Sequence, residues 1–111
     1  MNLGSATGIG ECRDTRRDHV TSCQVTIRNR LGLHARAAAK FVHLATRFHA
    51  HVRVSREGRV MDGKSIMGIL LLAAACGTTI TIAADGPDEE EALAALCQLV
   101  DGGFGEEMWS V

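Results

Sequence analysis

The sequence predicts an α+β domain of order βαββαβα, a four-stranded antiparallel sheet with three helices on one face. Two patterns carry this prediction. Four short segments alternate apolar and polar residues, and three intervening or following segments space their apolar residues as a helix does. Each strand also has one polar face, as a sheet covered on a single side requires.

At 111 residues the chain fits one domain. Residues 1–22 hold glycine, serine, threonine and mixed charges without a sustained period, so a loose, flexible N-terminal extension is expected there. In Cys23-Gln24-Val25-Thr26-Ile27-Arg28 the odd positions are apolar, which is the first strand. After Asn29-Arg30-Leu31-Gly32 the period changes. Ala38, Phe41, Val42, Ala45 and Phe48 recur at helical spacing, predicting a helix over 35–48. Ala50, Val52 and Val54 then alternate with His51, Arg53 and Ser55, and Glu57-Gly58 turns the chain into a short Arg59-Val60-Met61 strand.

Ser65 can cap a second helix, Ile66 to Leu72, apolar nearly all round, with Gly77 as its stop. Thr79 and Thr81 alternate with Ile80 and Ile82 in a fourth strand. Gly86-Pro87 opens a third helix, whose Asp88, Glu89, Glu90 and Glu91 suit the positive helix start and whose Leu93, Leu96, Cys97 and Val100 form a buried stripe. Gly102-Gly103 ends it, and the tail, 104–111, receives no element; its Trp109 reads as a packing plug or a contact point.

Charge and cysteine content narrow the function. Twelve basic residues against thirteen acidic give a net charge of −1, which offers no electrostatic reason to expect nucleic acid or an anionic membrane. The cysteines at 12, 23, 76 and 97 form no C-x-x-C pair, so reduced structural thiols are expected. No apolar run approaches a membrane span and no secretory start is visible, so a cytoplasmic protein without membrane insertion is expected. His49 and His51 share a strand face but lack a third ligand, so no metal is assigned, and nothing implies a cofactor.

Gly32-Leu33-His34-Ala35-Arg36-Ala37-Ala38-Ala39 holds the strongest chemical signal. His34 stands at the start of an alanine-rich helix, where first-turn amides lack intrahelical partners and the helix dipole favours an anion. A neutral imidazole there is a nucleophile able to carry a phosphoryl group, and Arg36 adds a cationic fork for phosphoryl oxygens. The plainer reading is a histidine that only caps its helix. Ser65 likewise has a capping role, beside which a modification role is open.

The stretch Leu31-Gly32-Leu33-His34-Ala35-Arg36-Ala37-Ala38 resembles the active-site signature of the histidine-containing phosphocarrier (HPr) family of the bacterial phosphoenolpyruvate phosphotransferase system. Gly63-Lys64-Ser65-Ile66-Met67-Gly68 resembles that family's regulatory serine segment. The resemblance spans about 23–103 and implies an open-faced βαββαβα sandwich, in agreement with the order read from the residues. It implies that His34 accepts a phosphoryl group at Nδ1 from enzyme I and yields it to an enzyme IIA-type protein, with Arg36 stabilising the phosphohistidine. Ser65 would be the site of an inhibitory phosphate written by an HPr kinase. Ile66, Met67 and Leu70 read as an apolar partner-docking surface or equally as core, with Met67 and Leu70 the best candidates for exposure. Ala37 stands where sugar-system members commonly carry proline and resembles the nitrogen-related (NPr) branch, so sugar uptake and nitrogen regulation both stay open. A Ser65-controlled docking module without phosphotransfer is the second reading, and a small-molecule sensor on a shared fold the third.

Overall fold

A computed structural model describes residues 21–106. Most of the expected N-terminal extension, with His19 and Cys12, and Trp109 in the tail lie outside the described residues. The elements are β1 (Thr21–Thr26), α1 (Ala35–Ala45), β2 (His51–Arg56), β3 (Arg59–Asp62), α2 (Ile66–Leu71), β4 (Thr79–Asp85) and α3 (Glu89–Asp101), followed by a 3₁₀ turn, Gly103–Gly105. The sheet order is β1-β4-β2-β3 with every pair antiparallel, so the predicted order and fold class stand.

Strand register follows from the alternation. Ile80 and Ile82 in β4 and Val52 and Val54 in β2 point to the helix-covered face and are fully buried. Against them lie Phe41, Ala38 and Ala45 of α1, Ile69 of α2, and Leu96 and Val100 of α3. β4 runs on to Asp85, beyond the expected Ile82, because Ala83 and Ala84 pair with β1 on one side and β2 on the other. β1 starts at Thr21, ahead of the expected Cys23, because Thr21 pairs with Ala84.

Four other expectations need correction. α1 ends at Ala45, short of 48: Thr46 turns its hydroxyl onto the His43 carbonyl (2.8 Å), and Phe48 continues the apolar stripe from a tightened turn donating to Ala45. α2 ends at Leu71, well before Gly77, because Ala73 takes a φ of +51° and the guanidiniums of Arg59 and Arg56 draw off the Leu71 and Leu72 carbonyls (3.0 and 2.8 Å). Cys23 and Cys97, expected as reduced thiols, are joined by a disulfide between β1 and α3, leaving Cys76 as the free thiol among the described residues. Asp88 does more than support the helix dipole: its carboxylate accepts the His49 and Ala50 amides (2.9 and 2.8 Å) and so ties the start of α3 to that of β2.

No helix among the described residues is long and apolar enough to cross a membrane.

Candidate functional site

The loop from β1 to α1 is held by backbone contacts that only certain residues permit. Gly32 has a φ of +71°, and a Cβ there would stand 2.8 Å from the Ala74 carbonyl oxygen. That same oxygen accepts the Leu33 amide at 2.9 Å, so the loop lies directly against the segment after α2. Glycine is therefore required twice, for conformation and for space. The Asn29 carbonyl accepts the Gly32 amide (3.1 Å), while the fully buried Asn29 side chain donates to the Gly32 carbonyl (2.8 Å). The turn is thus closed from both sides.

This turn delivers His34 to the N-cap of α1 in extended backbone geometry. Its Nδ1 accepts the Arg36 amide at 3.3 Å, and its carbonyl accepts the Ala38 amide at 2.8 Å. The capping and functional readings of His34 are therefore compatible. The capping nitrogen, Nδ1, is the one the family resemblance implies as acceptor, and it stands at a helix start whose first-turn amides favour an anion. The side chain is 28% exposed, so a partner can reach it.

The far edge of the ring meets a residue to which the sequence reading gave no role. His34 Nε2 lies 2.9 Å from both Oε1 and Oε2 of Glu106, and the Asn29 side-chain amide donates to Oε1 at 3.0 Å. Burial pushes the Glu106 carboxyl up, but the hydrogen bonds from His34 and Asn29, aided by the Lys40 charge, outweigh it and hold the carboxyl below its ordinary value. Glu106 is therefore ionised near neutral pH and can only accept. With a carboxylate facing Nε2 and the donor-only Arg36 amide facing Nδ1, the contacts fit a neutral ring that carries its proton on Nε2.

Two anchors bring Glu106 there. Phe104 is 1% exposed in the core despite a φ of +58°, and Lys40 on α1 donates to its carbonyl at 2.7 Å. Burial of the ring, worth about 2–3 kcal/mol, offsets the roughly 1–2 kcal/mol of backbone strain. An aromatic residue just beyond the Gly102-Gly103 stop was the available signal, since a plug there fixes the following carboxylate.

His34, Arg36 and Glu106 line one cleft of about 680 Å³ with Arg30, Leu31, Lys40 and Gly105. Three cationic side chains around one imidazole favour an anionic group in this cleft. Arg36, singled out in the sequence, lines this cleft; Arg30 and Lys40 were not anticipated as part of it.

Ser65 and the expected docking residues sit on α2. Ser65 is its N-cap, with Oγ accepting the Gly68 amide at 3.0 Å. Met67 and Ile66 are exposed, at 69% and 40%, and Leu71, not anticipated, at 56%. Leu70 is half-buried against the core. Among the described residues, no three His, Cys, Asp or Glu side chains group as metal ligands.

Comparison with known proteins gives one answer. Residues 21–101 match the family described as PTS HPr component phosphorylation site. Phosphocarrier protein HPr of Cupriavidus necator is 56% identical over 81 residues, covering 73% of this chain and 91% of that protein. Phosphocarrier protein NPr of Shewanella violacea is 45% identical over 83 residues, covering 75% and 91%. Among solved structures, phosphocarrier protein HPr from Bacillus anthracis superposes with a TM-score of 0.71 at 44% identity, covering 73% of this chain and 96% of that one.

Proposed function

The chain belongs to the HPr family of phosphocarrier proteins, and from that premise we propose that His34 takes a phosphoryl group from phosphorylated enzyme I and passes it to an enzyme IIA-type protein. The observation that carries this reading is the His34 ring itself. Its Nδ1 lone pair is set at the start of α1, partly open to solvent, in a cleft with Arg30, Arg36 and Lys40.

The transfer balances without an added acid or base. The Nδ1 lone pair attacks phosphorus, the nitrogen–phosphorus bond of the donor phosphohistidine breaks, and its electron pair returns to the donor ring. No proton has to leave His34 in this step, because Nδ1 carries none. Arg36 and the first-turn amides of α1 face the phosphoryl oxygens, compensating charge that the donor's own site gives up. The chain serves as a carrier whose transition state is completed by the partner's active site, in the cytoplasm where such partners act.

Docking falls to exposed apolar side chains: Leu31 in the lining of the cleft, 70% exposed, and Met67 and Ile66 of α2, while half-buried Leu70 offers only its edge. A phosphate written on Ser65 by an HPr kinase would add charge next to that apolar surface and weaken docking. The Ser65 segment supports this regulation; Ala37 supports the nitrogen-related branch, and the choice of branch follows from which enzyme I charges the protein faster.

The test is incubation with phosphoenolpyruvate and purified enzyme I of each branch. One acid-labile phosphoryl group per chain is expected, absent from His34→Ala. Ser65→Asp should slow charging while leaving the fold intact. A Ser65-controlled docking module without phosphotransfer predicts no acid-labile adduct at all.

A further inference from the structure

We propose that Glu106 is a positioning residue for phosphotransfer, fixing the proton on Nε2 of His34 so that Nδ1 is the reactive nitrogen and then pairing with the cationic ring formed when Nδ1 takes the phosphoryl group. This inference rests on the phosphocarrier reading of His34.

Three observations carry it. Both carboxylate oxygens of Glu106 lie 2.9 Å from Nε2, a contact symmetrical enough to hold the ring plane as well as its proton. The carboxylate is itself fixed: its side chain is 14% exposed, and buried Asn29 grips Oε1 at 3.0 Å. The backbone that carries it is pinned by buried Phe104 and by Lys40 on the Phe104 carbonyl. A side chain moored at three points to orient one imidazole follows the logic of the acid–histidine pairs of hydrolases, where the carboxylate sets the tautomer and stabilises the imidazolium.

The charge balance explains why a carboxylate is needed here. Attack by Nδ1 leaves the proton on Nε2, so the phosphorylated ring is cationic until the group moves on. The facing carboxylate lowers the energy of that ring, and the retained proton lets the ring depart as a neutral imidazole in the onward transfer. Asn29 is doubly placed, since one side-chain amide serves both the Gly32 carbonyl of the His34 turn and Glu106. It keeps loop and tail in register.

Glu106→Ala and Glu106→Gln in the full chain test the proposal, with circular dichroism to confirm folding. Nitrogen-15 NMR of the His34 ring reads the tautomer without any phosphotransfer partner. In the parent protein, protonated Nε2 and unprotonated Nδ1 are expected. Glu106→Ala should give mixed tautomers and charge about 10- to 100-fold more slowly, the scale on which a metal-ligating histidine suffers from losing its outer partner. Glu106→Gln can still accept through its amide oxygen, so it should keep the tautomer but charge more slowly than the parent. An unchanged tautomer and charging rate in Glu106→Ala overturns the proposal. If the parent takes no phosphoryl group, the phosphocarrier reading fails instead, and the tautomer measurement still decides what Glu106 does to the ring.

Discussion

Gly32 and Ala74 meet so closely that a single Cβ at position 32 would stand 2.8 Å from the Ala74 carbonyl oxygen. Because that oxygen also receives the Leu33 amide, the contact fixes the turn that presents His34. Gly32→Ala combines a left-handed backbone with a backbone clash and should cost about 1–3 kcal/mol of stability. Urea unfolding measures the loss. Charging of His34 should fall by more than the lost folded fraction accounts for, because the N-cap geometry moves with the turn.

Phe104→Ala removes a fully buried ring and should cost about 3–5 kcal/mol. For a domain of this size that lowers Tm by roughly 4–8 °C per kcal/mol. At a temperature where the variant is still folded, charging of His34 should also drop, since Glu106 loses one of its moorings. Calorimetry and a charging assay on the same sample separate the two effects.

Asp88 offers a contrast, a structural carboxylate away from the cleft. The His49 amide, opposed by burial and aided by the Ala50 amide, holds its carboxyl below the ordinary value of 3.8. A depressed folded value means that its stabilisation is present above that ordinary value and is lost as pH falls through the folded one. Asp88→Ala should therefore lower Tm at neutral pH, with the gap to the parent closing in strong acid. Charging rates at pH 7 should be unchanged. Thermal unfolding from pH 7 down to pH 2 checks the direction.

Much of the fold could be read from local pattern, because β1, β2 and β4 show their period of two and α1 and α3 their apolar stripes within a few residues. Element ends were less visible where a distant partner decides them, as when Arg56 and Arg59 from the hairpin cap the end of α2. The site divides the same way. His34 and Arg36 stand two positions apart and share a helix start, so their chemistry lies in one short stretch. Glu106 lies 72 positions from His34, and only the aromatic Phe104 just past the Gly102-Gly103 stop hints at it. It becomes a partner only when Phe104 folds the tail back over α1. The Cys23–Cys97 pair escaped notice for the same reason, since 74 positions of chain must fold before β1 and α3 bring the sulfurs together. On α2, near-uniform hydrophobicity hid which side chains face out, and Leu71 rather than Leu70 proved the more exposed.

Phosphotransfer by this chain requires Nδ1 of His34 to be the nitrogen that carries the phosphoryl group. Phosphorus-31 and nitrogen-15 NMR of the protein charged by enzyme I and phosphoenolpyruvate reads this directly. A single acid-labile adduct bonded to Nδ1 is expected, with the Nε2 signal still coupled to its proton. A charged protein with phosphorus on Nε2, or on any residue other than His34, would contradict it.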